Sequence, residues 1–343
     1  MSQASIFDAF GVTSPTTDTK QIPLEAVCKT GKRTNQDKIK FRFEYKPLRR
    51  ILRNINQNQP IWAWGPSGCG KTELFSQIGA RLNRPVHIIS FGEETSVREL
   101  FGTVAIDHTS AEADMPQKED KGIAGIAKAL WALAKRGLGL KTEFRYGQLP
   151  KAIQDEGAIV VLDEFNMCPA GIAAQLNFFF EKGKLTIPET GEEVTAAKDV
   201  TIVVTSNTSG GMDETGLYAG SQSMNGATRT RFAYIQLDYL PADEERLILT
   251  DRIEKVDAIK TPGEKPFSSL AVEVGRGCRS LVNQGKVSLP FTVRNLLAFG
   301  KATKELRDVA DGFRDAYFDG LAPSEQVAVS QLFHKTFGIK LED

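Results

Sequence analysis

The chain has 343 residues, 41 % of them apolar, with 43 Lys plus Arg set against 43 Asp plus Glu. That length allows two domains, and the apolar share is ordinary for a soluble globular protein. Zero formal charge leaves no overall field to gather polyanions, which disfavours a nucleic-acid motor, whose usual mark is a clustered basic excess.

Residues 1–40 are polar and irregular, with Lys29, Lys32 and Arg33 as a basic patch, and read as an N-terminal arm. Residues 6–10, around Phe7 and Phe10, are a short apolar peptide that packs either on a neighbouring subunit or on its own domain. From 41 to 240 strand and helix patterns alternate. Apolar runs at 61–64, 86–91, 158–162, 201–205 and 233–237 read as buried parallel strands. The expected fold class is therefore α/β, a parallel sheet covered by helices on both faces.

Between the first strand and its helix stands Gly65-Pro66-Ser67-Gly68-Cys69-Gly70-Lys71-Thr72, which fills every fixed position of the phosphate-binding loop G-x-x-x-x-G-K-[ST]. Glycines let successive backbone N–H groups turn inward around a phosphate, and the helix N-terminus adds a positive dipole end. Lys71 can reach the β- and γ-phosphates, the Thr72 hydroxyl can hold Mg²⁺, and Glu73 completes the nucleotide-binding stretch. Leu74, Ile78 and Leu82 recur at helical spacing behind the loop. Cys69 is either a reactive thiol or a small filler.

An insert at about 103–148 follows the second strand. It comprises an acidic loop (107–120), an amphipathic helix (123–136) and a hairpin at 142–148. Long loops in compact domains tend to be functional, so the insert is either client-facing or passive decoration.

The run Ile159-Val160-Val161-Leu162 ends in Asp163 and Glu164, at the carboxyl end of a strand, where ligands sit in parallel sheets. Asp163 can join the Mg²⁺ shell and Glu164 can orient the attacking water; capping the next helix is the alternative use. Asn207 ends another strand and can bond the same water or the γ-phosphate, or can simply form a turn. Arg229 and Arg231 precede the fifth strand, and a guanidinium delivered to a γ-phosphate speeds transfer by about 10³–10⁵.

Beyond Pro241 the patterns at 243–256, 268–282, 292–306, 308–321 and 324–337 are all helical, a small second domain over 241–343. Arg294 falls in a first helical turn, where a cation opposes the dipole. Either an anion or a surface salt bridge must offset it.

Cys28, Cys69, Cys168 and Cys278 form no C-x-x-C pair, so neither a disulfide framework nor a zinc site is suggested. His87, His108 and His334 are scattered. Without a signal peptide or a run of membrane-helix length, the expected location is the cytoplasm.

Taken together, the phosphate loop, the Asp163-Glu164 strand end, Asn207, the distal arginine and a helical second domain resemble an AAA+ ATPase. The long segment after the second strand and the hairpin at 183–187 resemble its helix-2-insert branch, the MoxR group, and within it the cobaltochelatase ATPase subunits. The likeness spans most of 55–300. It is carried by Thr215-Gly216-Leu217-Tyr218-Ala219-Gly220-Ser221-Gln222, Asn225, Arg231, Tyr239-Leu240-Pro241, Arg81-Leu82-Asn83-Arg84-Pro85 and Phe10-Gly11-Val12.

The resemblance implies Lys71 and Thr72 as the Walker A pair and Asp163 and Glu164 as the Walker B pair. It implies Asn207 as sensor 1, Arg231 as an arginine finger with Arg229 as second candidate, and Arg294 as sensor 2. It further implies ATP and Mg²⁺ as cofactors, a homo-oligomeric, hexameric ring, and a protein partner such as a CobT-like or von Willebrand A-domain protein. The segment 106–136 is longer than the pattern expects. A nucleic-acid-directed AAA+ motor is the alternative, and mixed charge in the insert argues against it. A GTPase is disfavoured because no N-K-x-D signature follows the loop.

Overall fold

The computed structural model describes residues 9–12, 34–107, 141–211, 222–263 and 265–341. Its centre is a five-stranded parallel sheet of β1 (Ile61–Trp64), β2 (Val86–Ser90), β5 (Ile159–Asp163), β8 (Thr201–Ser206) and β9 (Ala233–Gln236), ordered β2-β5-β8-β1-β9. Strict alternation within these short apolar strands covers both faces. Trp62, Val160, Leu162, Ile202 and Val204 feed one core, with Phe165 and Phe180 packed on it. Their neighbours Ile61, Ala63, Ile159, Val161 and Val203 feed the other, closed by Phe75, Ile78 and Leu82 of the helix α2 (Lys71–Leu82) and by α1 (Tyr45–Asn56). Phe10 is buried in this second core, its ring edge-on to Phe43 at 5.0 Å, so this residue packs on its own chain.

The register decides where chemistry can occur. Trp64 stands opposite Ser206, and Ser90 opposite Asp163. The residues that follow β1, β5 and β8 therefore emerge along one edge of the sheet.

Two polar side chains brace the β2 side. The Asn35 amide donates to Val86 O and accepts from Val86 N–H, both at 2.9 Å, occupying the free edge of the outer strand. Arg84, 1 % exposed, donates to Gly157 O at 2.5 Å, to Asp199 O, and to Thr201 Oγ1 at 3.2 Å, tying the turn before β2 to the starts of β5 and β8. Burial pulls its guanidinium down to about 10, opposed by Asp199, so it stays charged at neutral pH. Arg84→Met strands two buried carbonyls, each costing about 1–3 kcal/mol. We expect a loss of about 3 kcal/mol of unfolding free energy in urea melts; an unchanged midpoint would show that water replaces the guanidinium.

The insert is anchored by β3 (Gly102–Asp107) and β4 (Lys141–Tyr146), an antiparallel ribbon with Gly102 opposite Tyr146. This corrects the expected hairpin at 142–148. Residues 141–146 form one strand, its partner lies far upstream, and Gln148 already begins a short helix, α4 (Gln148–Ile153). Of the acidic loop expected at 107–120 only Asp107 is described, as the end of β3, and the amphipathic helix expected at 123–136 lies outside the described residues. A second ribbon, β6 (Lys184–Thr186) with β7 (Glu193–Thr195), follows α5 (Ala170–Lys182); the stretch expected as a hairpin at 183–187 supplies its first strand only.

After Pro241 the chain is helical: α7 (Ala242–Arg252), following the one-turn α6 (Gly226–Arg229), then α8 (Phe267–Asn283), α9 (Val293–Leu306), α10 (Val309–Ala316) and α11 (Pro323–Phe337). These share a core of stacked phenylalanines, with Phe313, Phe333 and Phe337 in ring contact at 4.6 and 4.8 Å. No helix among the described residues is long and apolar enough to cross a membrane.

Candidate functional site

The loop from Gly65 to Gly70 bends as its glycines permit. Gly68 and Gly70 have φ of 69° and 90°, a region side chains rarely adopt, and Gly70 is the left-handed residue that launches α2. A Cβ on Gly65 would lie 2.1 Å from Leu237 O, and one on Gly68 would lie 2.3 Å from Thr292 Cγ2. Glycine is required twice for close approach, once to the β9 end and once to the residue that caps α9.

Within this loop Lys71 Nζ donates to Gly65 O (2.9 Å), Pro66 O (3.0 Å) and Asn207 Oδ1 (2.9 Å). Burial pulls its ammonium below the usual lysine value, and the Asp163 and Glu164 carboxylates oppose the shift. Such a partly buried cation, facing two carbonyls and an amide oxygen, gains when a polyphosphate supplies full counter-charge.

Thr72 Oγ1 donates to Asp163 Oδ2 at 2.9 Å, so the two residues expected at a Mg²⁺ ion are in direct contact. The other oxygen, Oδ1, accepts from Thr205 Oγ1, and that hydroxyl in turn accepts Glu164 N–H at 3.3 Å. Thr205 is fully buried. It was not singled out in the sequence, because a threonine inside an apolar strand carries no local signal; its role comes from pairing between β5 and β8. A hydroxyl and a carboxylate at bonding distance, both hard oxygen donors, suit a Mg²⁺ ion that also takes phosphate oxygens.

Glu164 is exposed and left-handed, with φ 55° and ψ 38°. The chain turns there from β5 into a short 3₁₀ segment at Phe165–Met167, so Glu164 sits at the bend that leaves the strand end. Glu73 behaves differently: its carboxylate accepts from Gln77 Nε2 at 3.0 Å on the exposed flank of α2. Burial raises the Cys69 thiol, with Lys71 opposing, so it is poorly suited to a nucleophile.

Next to the loop lies a small apolar cleft between Leu48, Cys69, Leu74, Leu237 and Leu240, rimmed by Glu44 and Asp238. Burial, followed by Asp238 and Glu244, pushes the Glu44 carboxyl above its usual range.

The arginines divide. Arg294 is exposed in the first turn of α9, with no hydrogen bond or ion pair to its side chain among the described residues. Its helix is capped by Thr292, the residue packed on Gly68, through a reciprocal pair with Asn295. Of the two offsets expected for Arg294, no salt bridge is present among the described residues. Arg231 is held within its own chain, donating to Glu181 at 2.9 Å and to Ala227 O. Arg229 follows Asn225, which caps its short helix by accepting Ala227 N–H at 2.9 Å. Among the described residues, the buried Nε of Arg229 and that of Arg231 find no hydrogen-bond partner. The segment 215–221 lies outside the described residues, while Gln222 N–H donates to Asn166 O at 2.8 Å.

Comparison with known proteins gives this arrangement a family. The AAA domain of the dynein-related subfamily matches residues 63–232. The chain is 26 % identical over 305 residues to the aerobic cobaltochelatase subunit CobS of Sinorhizobium sp, covering 88 % of this chain and 82 % of that one. It is 28 % identical over 206 residues to midasin of Dictyostelium discoideum, covering 60 % of this chain and 3 % of midasin. A solved structure of RuvB from Thermotoga maritima superposes with a TM-score of 0.44 at 13 % identity, over 83 % of this chain and 72 % of that one. Since the family match runs from β1 to just past Arg231 and takes in the phosphate loop and the ends of β5 and β8, residues 63–232 are an AAA domain, and the chain is related to the MoxR-type AAA+ ATPases.

Proposed function

We propose that this protein is a Mg²⁺-dependent ATPase that assembles into a closed ring, hexameric by family likeness, and uses hydrolysis to remodel a protein partner. The observation that carries the reading is the cluster Thr72–Asp163–Thr205–Glu164, set beside Lys71 and Asn207. In it, Lys71 and the loop amides bind the triphosphate. Thr72 and Asp163 would hold Mg²⁺, which when bound neutralises charge building on the phosphate oxygens. Glu164 and Asn207 orient water toward the γ-phosphate, and Arg294 supplies a cation from above.

A ring follows from Arg231. Its guanidinium is paired with Glu181 of its own chain, and in this reading it leaves that partner for a neighbour's γ-phosphate when two subunits meet. A heterologous contact closed by rotation gives each subunit one intact seam. The relative named as a cobaltochelatase subunit supports work alongside other chains, and a CobT-like or von Willebrand A-domain protein is the partner class proposed. The cleft beside the loop would take adenine, and the cytoplasm is the proposed setting.

Phosphate release tests this. Purified protein with ATP should turn over only with Mg²⁺. Lys71→Ala should bind ATP about 10–100-fold more weakly, the value of charge-assisted bonds. Turnover in EDTA equal to that in Mg²⁺, or full activity of the Lys71 variant, would sink the reading.

A further inference from the structure

We propose that Arg279 is a positioning residue for this site: it holds the α9 helix, and with it Arg294, against the phosphate loop, acting through Tyr239. The proposal rests on Arg294 facing the triphosphate as read above.

The Arg279 side chain is only 10 % exposed and meets three separate elements. It pairs with Glu245 of α7 at 2.7 Å. Its Nε donates to Phe291 O at 2.6 Å, one residue before the Thr292 cap of α9. Its guanidinium lies over the Tyr239 ring, 3.9 Å from the centroid. Tyr239 completes the connection, because its hydroxyl donates to Ser67 O of the phosphate loop at 2.7 Å. Ser67 and Gly68 are thus gripped from two sides, by Tyr239 and by Thr292, and both grips converge on one guanidinium.

A buried ion pair is an expensive way to fill space, since well-packed apolar groups often serve stability equally well. What a guanidinium adds is geometry: a rigid plane that can stack on a ring while its fork bonds in fixed directions. Here the plane lies on the Tyr239 ring, the charge faces Glu245 of α7, and Nε bonds to the entry of α9. Displacing a charged group at a reacting phosphate by about 1 Å can cost on the order of 100-fold in rate. A strut of this kind protects against that loss. The pair also places an obligatory partner on Glu245, whose carboxyl burial raises and Arg279 lowers.

The test is a double-mutant cycle with Arg294. Arg279→Lys keeps the charge but loses the plane, and should lower kcat about tenfold. Tyr239→Phe keeps the ring under the guanidinium, removes only the bond to Ser67, and should lower kcat about threefold. In an Arg294→Ala background each change should have less than a twofold effect, because the residue it positions is gone. Equal losses in both backgrounds would overturn the proposal and leave Arg279 a residue of stability alone. Hydrogen exchange supplies a readout independent of hydrolysis. A non-hydrolysable ATP analogue should protect the amides of the first α9 turn in the unmutated protein and fail to do so in either variant. Protection retained in Tyr239→Phe would overturn the relay even if Arg279→Lys does not fold. An Arg294→Ala protein as active as the unmutated one would instead sink the reading of Arg294, with the exchange data still deciding the strut.

Discussion

Glu164→Gln is expected to keep ATP on the protein and to slow its hydrolysis by about 10²–10⁴, the usual worth of a positioned general base. The two effects separate because of where Glu164 sits. Its backbone, left-handed at φ 55°, is held by the bond from its N–H to Thr205 Oγ1, and glutamine preserves both the length of the side chain and that bond. Nothing in the binding set is touched: Lys71, the loop amides, Thr72 and Asp163 keep their partners. Only the negative charge disappears, and with it the pull on a water proton. A left-handed non-glycine residue costs about 1–2 kcal/mol, and a fold bears such a cost most readily where the re-aimed side chain has a task. The checks are equilibrium binding of a fluorescent ATP analogue and single-turnover phosphate release. A Gln variant hydrolysing within about twofold of the unmutated protein would remove Glu164 from the water-orienting role.

Legibility in the sequence was uneven, for physical reasons. The phosphate loop and the five strands are local patterns, and local patterns survive in one dimension. Residues 61–64, 86–90, 159–163, 201–206 and 233–236 pair in a single parallel sheet because each run is short, apolar on both faces and bounded by turns. What escaped notice depends on partners distant in the chain. Thr205 reaches Asp163 across two paired strands, and Tyr239, just past β9, reaches Ser67 in the loop that follows the neighbouring β1. Neither residue type is unusual where it stands. Misreading 142–148 as a self-contained hairpin has the same origin. Alternation marks a strand, but not the strand it pairs with, and here that partner begins at Gly102. Glu181 went unnoticed because a glutamate on an exposed helix face looks like solvation until Arg231 is seen 2.9 Å away.

Arg231→Ala is expected to bind ATP normally and to lose about 10³–10⁵ in turnover, the range for removing an arginine finger. The pairing with Glu181 makes the mechanism of that loss specific. Hydrogen bonding to Arg231, then to Lys182, holds the Glu181 carboxyl below its usual range, so the guanidinium is engaged within the single chain. It must exchange one anion for another, Glu181 for a neighbour's γ-phosphate, when two subunits meet around ATP. Nucleotide at the seam therefore favours assembly by mass action, and activity should rise steeply with protein concentration. Mixing then tests where the finger acts. Arg231→Ala subunits carry an intact loop, and Lys71→Ala subunits an intact finger; alone, each makes no whole junction. Random assembly at equal ratio makes about a quarter of the junctions whole, half the loops meeting half the fingers, in a ring closed by identical heterologous contacts. Recovery approaching that fraction of the unmutated rate is the expected result. No recovery at any ratio, with a concentration-independent rate in the unmutated protein, would show that Arg231 does not act across a seam, and undiminished turnover of Arg231→Ala would leave its bond to Glu181 as a surface ion pair, worth at most about 1 kcal/mol.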